Sequence, residues 1–111
     1  VEGDYKIGLN EVAIGMPLPH FGVEIARARL SPTYLGRSVM NAEIYTPKSA
    51  VKAGFLDAVV PEEQLMKTAM QSAQAFTQLD MAAHYTTTSR VRENTLTAIN
   101  NAISKDYVSM S

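Results

Sequence analysis

The chain has 111 residues, a net charge of −1 at pH 7 and no cysteine. The lack of cysteine excludes disulfides, thiolate metal sites and cysteine nucleophiles. A near-neutral chain without a basic cluster argues against a nucleic-acid partner, and no stretch approaches the roughly 18 consecutive apolar residues of a membrane-spanning helix. We therefore expect a single domain without a membrane partner. We expect a cytoplasmic location, with an organellar targeting segment upstream of Val1 as the alternative.

The first twenty residues hold most of the predicted strand content. Residues 4–8 and 12–14 are short runs of apolar and β-branched residues bounded by glycine. An isolated pair of strands is marginally stable in water, so these strands need further neighbours. Gly15, Pro17 and Pro19 then predict a tight loop before the first helix. Residues 1–20 are thus expected to form a strand and loop segment.

Residues 21–111 predict a helical body. Apolar residues recur at helical spacing, and Ser31-Pro32 and Thr46-Pro47 each place a capping hydroxyl before a proline, which is typical of a helix start. Residues 55–60 form an apolar run that predicts one short strand. The predicted helices are 21–30, 32–41, 47–53, 61–78, a further helix capped by Asp80, and a last helix through 91–107. The predicted architecture is mainly α-helical, with two or three short strands.

Glu11 is a carboxylate set among apolar neighbours, on a short connection between the first two predicted strands. Burial disfavours the charged form of a carboxylate, which makes such a group a candidate for moving protons. The alternative is an ordinary loop glutamate that is solvated or caps a nearby amide.

The remaining histidine and arginine candidates are expected to have no direct role in chemistry. His84 has no acid nearby at ligand spacing, so we expect no metal site. Arg27, Arg29 and Arg37 are expected on solvated helix faces, with phosphate contacts as the alternative. Glu24 lies three residues before Arg27, so these two side chains can pair on the solvent side of the first helix.

The order of these segments resembles the C-terminal half of the crotonase superfamily, the enoyl-CoA hydratases and isomerases. The resemblance rests on Gly8, Glu11 and the Pro-containing loop that follows, and on residues 46–63, in which a helix ends at Gly54 and leads to Val-Pro-Glu-Glu. Residues 7–11, 59–64 and 103–106 look most like the mitochondrial-type Δ3,Δ2-enoyl-CoA isomerases. The resemblance implies an α/β fold overall, a spiral of ββα units, of which residues 1–111 form the C-terminal portion.

In that family the glutamate after the glycine is the catalytic acid/base, and the match places it on Glu11. The resemblance implies an enoyl-CoA thioester as substrate and no cofactor beyond the coenzyme A that the substrate carries. Leu18, Phe21, Met16 and His20 are then candidates to line the acyl pocket, since methionine adapts to irregular apolar shapes. A loop histidine is as readily solvated or bonded to a carbonyl, and core packing is the alternative for the apolar residues.

The family's oxyanion-hole N–H groups and second hydratase carboxylate come from segments before Tyr5. We therefore expect the chain to be a portion of an enzyme. The alternative is an inactive helical packing or oligomerisation module that remains after loss of the N-terminal half. The weakly charged Thr86–Ser89 and Asn100–Asn101 surface could pack against another subunit, and the resemblance implies a homo-oligomer, a trimer or a dimer of trimers.

Overall fold

The computed structural model describes residues 1–110, which form a mainly helical structure with very little strand. The mainly helical prediction is confirmed. The elements are β1 (Ile7–Gly8), α1 (His20–Arg29), α2 (Pro32–Val39), β2 (Ile44–Tyr45), α3 (Pro47–Ala53), α4 (Leu65–Phe76) and α5 (Met81–Met110), with 3₁₀ turns at Val12–Ile14 and Glu62–Gln64.

Strands β1 and β2 form a two-stranded antiparallel sheet, in which Ile7 lies opposite Tyr45 and Gly8 lies opposite Ile44. Only part of the predicted 4–8 strand is formed, and β2 was not predicted. A Cβ atom on Gly8 would lie 2.7 Å from Ile44 Cδ1 and 3.0 Å from the Glu43 carbonyl oxygen. The close approach of the two strands therefore requires glycine at this position.

The predicted strand over Val12–Ile14 is wrong, because these residues form a 3₁₀ turn. The Glu11 carbonyl accepts hydrogen bonds from the N–H groups of Ile14 and Met16, at 3.1 and 2.9 Å. Gly15 closes the turn in the left-handed region, with φ 82°. A run of three apolar residues suits a strand or a turn, and the glycine that follows favours the turn here.

The predicted strand over residues 55–60 is also wrong, since these residues have no regular secondary structure. The N–H groups of Phe55 and Leu56 donate to the Ala50 carbonyl and wrap the end of α3. The Val60 carbonyl accepts one hydrogen bond from Glu2 N–H, at 3.0 Å. A single backbone bond does not make a ladder, so the apolar run stays irregular.

Two of the three predicted helix caps are present in the structure. Thr46 and Ser49 form a reciprocal capping box at the start of α3. Asp80 Oδ1 accepts from Ala83 N–H at 2.9 Å and caps α5. Ser31 does not cap α2; its hydroxyl donates instead to the Lys52 carbonyl, at 3.3 Å. Ser31 therefore joins the start of α2 to the end of α3.

The core is small and lies where α3 meets β2. Tyr45, Ala50 and Ala53 are buried, and partly buried apolar residues surround them. The Tyr45 ring lies 6.0 Å from that of Tyr34 and 5.7 Å from that of Phe55, measured between centroids. Such aromatic pairs add to the stabilisation that comes from burial alone.

Helix α5 is one continuous helix, where two had been predicted. Its C-terminal half contributes the buried Ala102, and α5 packs against α1, which contributes the buried Ala26. Helix α4 and the first half of α5 are largely exposed. Across residues 1–110, no helix is both long and apolar enough to span a bilayer.

Candidate active site

An apolar cavity of about 460 Å³ lies beside Glu11, at the face of α1. Most of its lining is apolar, and Glu11 and Arg29 are its ionisable members. Its lining residues are Leu9, Glu11, Leu18, Pro19, Phe21, Gly22, Ile25, Ala26, Arg29, Leu30 and Phe55. A mostly apolar cleft with few polar groups is the usual form of a small-molecule site.

The Glu11 carboxylate is the unusual group in this cavity. Its Oε2 atom is buried and has no hydrogen-bond partner among the residues that the structure describes. A buried polar atom without a partner is costly, so such an atom is retained where it has a function or binds something further. The 3₁₀ turn holds the Glu11 backbone through its carbonyl. Glu11 is therefore the candidate reactive group of this cavity.

One face of α1 and the two residues before it form a wall of the cavity. Leu18, Gly22, Ile25 and Arg29 recur at spacings of three and four, which is the helical period. Leu18 and Phe21 were predicted to line the site, whereas Ile25 was not, although its spacing is visible in the sequence. Leu9 and Phe55 carried no such signal, because only the fold brings them here.

Met16 and His20 are not among the residues that line this cavity. Met16 follows the left-handed Gly15 and is largely exposed. His20 begins α1 and lines a separate hollow between the start of α1 and the end of α5. The geometry thus brings Leu18 and Phe21 together with Glu11 and leaves the other two candidates outside.

Asp106, near the end of α5, binds the start of α1. Its Oδ1 accepts from His20 N–H at 2.8 Å, and its Oδ2 accepts from Phe21 N–H at 2.9 Å. Burial alone raises the pKa of Asp106, but these two hydrogen bonds and the nearby His20 outweigh it, so the pKa lies below its ordinary value. Asp106 is 86 and 85 residues from its partners, and no local pattern of residues indicates this contact.

Arg27, Arg29 and Arg37 each have an acidic partner. Arg27 pairs with Glu24 at 3.5 Å, as predicted. Arg29, at the edge of the cavity, donates from Nη2 to Asp57 Oδ1 at 2.9 Å. Exposed pairs of this kind add little stability.

Arg37 binds Glu43 through two bonds, Nε to Oε2 at 2.7 Å and Nη2 to Oε1 at 2.8 Å, and lies over the Tyr34 ring. The Tyr45 hydroxyl joins this group, since it lies 3.2 Å from Glu43 Oε2 and 2.9 Å from the Ser38 hydroxyl. The bonds from Arg37, helped by Tyr45 and opposed by burial, hold the pKa of Glu43 below its ordinary value.

A second hollow of about 470 Å³ lies along the start of α5 and includes His84 and Arg92. Its carboxylate, Asp80, is engaged in capping α5 through the Ala83 N–H. This hollow therefore lacks an unpartnered acid comparable to Glu11, and we do not assign chemistry to it.

The chain is similar to known proteins of one enzyme family. The family model described as enoyl-CoA hydratase/isomerase matches residues 2–108. The crystal structure of an enoyl-CoA hydratase/isomerase family protein from Pseudomonas syringae is 44% identical, with a TM-score of 0.91 over 95% of this chain and 46% of that one. An enoyl-CoA hydratase, EchA3, from Mycobacterium ulcerans is 31% identical, with a TM-score of 0.89 over 99% of this chain and 48% of that one.

Among curated proteins, the human mitochondrial enoyl-CoA delta isomerase 1 is 31% identical over 68 residues, which cover 61% of this chain and 22% of that protein. The chain thus spans about half the length of the solved relatives and a smaller share of the curated one. The matches include proteins named as hydratases and a protein named as an isomerase. On the extent of the family match, the chain belongs to the enoyl-CoA hydratase/isomerase family.

Proposed function

We propose that the protein containing this chain acts on enoyl-CoA thioesters, with Glu11 as the acid/base. The observation that carries the proposal is the buried, unpartnered Oε2 of Glu11 beside an apolar cavity. An acid/base needs a side chain that can take and return a proton at a bound substrate, in a place from which water is largely excluded. The buried Oε2 atom and the mostly apolar lining of the cavity support this role for Glu11.

The favoured reaction is isomerisation of a 3-enoyl-CoA to the conjugated 2-enoyl-CoA. Glu11 takes a proton from the α-carbon, and the electron pair of that C–H bond delocalises toward the thioester oxygen as an enolate. The same carboxyl group returns the proton at the γ-carbon while the double bond moves between the α- and β-carbons. One carboxylate suffices for this transfer, whereas the hydration known in this family usually employs two.

The enolate oxygen needs N–H donors, and loss of one such donor costs about 3 kcal/mol of transition-state stabilisation. By the family resemblance, these donors belong to a part of the protein that precedes this chain. We propose that the complete protein is the α/β spiral, that the apolar cavity takes the acyl chain, and that no cofactor acts besides the substrate's own coenzyme A. Its place in the cytoplasm or an organelle stays a prediction.

The test is turnover by the longest native form of the protein. Purified protein is mixed with a 3-enoyl-CoA, and the absorbance of the conjugated product is followed. We expect Glu11→Gln to lower kcat by about 10²- to 10⁴-fold, the usual contribution of a general acid/base. The matched control is Glu24→Gln, which removes an exposed ion pair with Arg27 and leaves kcat unchanged.

Equal turnover in Glu11→Gln and the wild type would contradict the role of Glu11. If the wild type turns over neither 3-enoyl-CoA nor 2-enoyl-CoA, the proposal fails and an inactive packing module is what remains. Circular dichroism of both variants establishes that a lost rate is not a lost fold.

We also propose that the protein forms a homo-oligomer, a trimer or a dimer of trimers. Support comes from the apolar residues that α4 and α5 expose, among them Met66 at 73% and Phe76 at 59% exposure. Apolar surface of this extent is typical of contact surfaces. Sedimentation velocity gives the mass directly, and a monomer over the micromolar range would contradict the proposal.

A further inference from the structure

The start of α1 has no local cap. Pro19 occupies the N-cap position and offers no side-chain acceptor to the free N–H groups of the first turn. Asp106 supplies both acceptor oxygens from the far end of the chain. A carboxylate at a helix N-terminus is also favoured by the helix dipole. The first turn of α1 is therefore fixed by α5 and not by its own sequence.

The residues at this turn separate the cavity beside Glu11 from two smaller hollows near the end of α5. Phe21 lines the main cavity and both hollows, which measure about 310 and 340 Å³. Leu18 lines the main cavity and the first hollow, and Asp106 lines both hollows. Phe21 and Leu18 thus form a partition, one side of which faces the cavity of the proposed acid/base.

We propose that Asp106 is a positioning residue that fixes this partition and thereby sets the length of acyl chain that the cavity accepts. The inference rests on the proposed function, because it takes the occupant of the cavity to be the acyl chain of a CoA thioester. Asp106 does not itself line the main cavity. It acts through the backbone N–H groups of His20 and Phe21.

The geometry separates this role from catalysis. Glu11 is held by the turn at Val12–Ile14, through hydrogen bonds to its own carbonyl, and by β1, which pairs with β2. None of these contacts involves Asp106. Release of the α1 start should therefore move the partition and leave the acid/base in place.

The test measures binding and turnover for a length series, with Asp106→Ala, Asp106→Asn and the wild type in the longest native form of the protein. Calorimetry gives the Kd of saturated acyl-CoAs from butanoyl to hexadecanoyl, and initial rates give kcat and KM for the matching 3-enoyl-CoAs. Each methylene that gains burial is worth about fourfold in affinity. In the wild type we expect affinity to stop rising at a limiting length.

In Asp106→Ala, affinity should rise for at least two further methylenes, about 16-fold in all, and KM for the long substrates should fall. The kcat for short substrates should stay within about twofold of the wild type. Asp106→Asn keeps one acceptor oxygen and should lie between the two. Phe21→Leu, which opens the partition without touching the cap, should extend the accepted length in the same direction and keeps the test valid if Asp106→Ala unfolds.

The matched control is Asp80→Ala, which removes the other aspartate cap, at the start of α5, and should leave the length profile unchanged. Identical length profiles in the wild type, Asp106→Asn and Phe21→Leu would overturn the inference and leave the proposed function standing. An Asp106-dependent binding profile in a protein without turnover would overturn the proposed function alone. A wild type that binds no acyl-CoA would overturn both.

Discussion

Two regions of this chain differ in how closely their residues pack. Around α3 and β2 the residues are closely packed, and Ala50 and Ala53 have no exposed surface. Along α4 and the first half of α5, nearly every residue is exposed, although α4 carries apolar residues at helical spacing. We refer to these as the packed region and the helical arm.

The difference shows that residues which favour a helix do not by themselves bury that helix in a core. The arm has good local signals, such as the Asp80 cap and a run of helix-favouring residues, and it is helical without burying its apolar face. The packed region depends on small residues and close approaches between elements. Substitutions should therefore cost far more in the packed region than in the arm.

The largest effect is expected at Gly54, where the end of α3 passes close to the α1–α2 connection. A Cβ atom there would lie 2.9 Å from Ser31 N and 3.0 Å from the Arg29 carbonyl oxygen, and φ is 101°. Gly54→Ala adds the cost of a left-handed alanine to that of the clash, together about 3 kcal/mol. Urea denaturation measures the change in the free energy of unfolding.

Gly15→Ala is the control for this prediction. Gly15 has φ 82°, but nothing lies within 4 Å of an added Cβ. Only the cost of a left-handed alanine backbone applies, so the free energy of unfolding should fall by about 1 kcal/mol. Equal losses for both variants would show that the close approach at Gly54 contributes nothing.

A matched pair of alanines gives the next largest effect. Ala53→Val overfills a site with no exposed surface and should cost about 2 kcal/mol. Ala69→Val on the exposed face of α4 carries only the lower helix propensity of valine, about 0.5 kcal/mol. Because the substitution is the same, the difference between the two unfolding free energies measures packing. A loss at Ala69 as large as that at Ala53 would contradict the difference in packing between the two regions.

The smallest effect is expected for the ion pair between Arg37 and Glu43. The pKa of Glu43 is held below its ordinary value of 4.5, so its stabilising contribution is present above that pH and is lost as the pH falls through the lowered pKa. The difference in Tm between the wild type and Glu43→Gln should therefore be greatest near neutral pH and shrink in acid. Glu93→Gln, the same chemical change at an exposed position of α5, is the matched control.

The sequence predicted most of the helices and the family, and it missed the contacts between distant segments. The Thr46 capping box and the Asp80 cap followed from local spacing. The strands over 12–14 and 55–60 did not form, because an apolar run becomes a strand only when another strand pairs with it. Strand β2 was missed for the same reason, since two residues carry no pattern of their own.

For the candidate site, the sequence alone identified Glu11, Leu18 and Phe21 as residues to examine. It also singled out Met16 and His20, which the fold places outside the cavity. The spacing of Gly15, Pro17 and Pro19 predicts a loop but does not specify the path of its backbone. Which loop residues face a cavity is therefore decided by the elements packed on either side.

The sequence by itself determined the helical character, the Thr46 and Asp80 caps and the family, because caps and the hydrophobic period are set by residues a few positions apart. Only the tertiary structure decided that Glu11 has a buried oxygen without a partner and that Asp106 caps a helix 86 residues away. Burial and long-range hydrogen bonds depend on which segments meet in space, and no local pattern encodes that meeting.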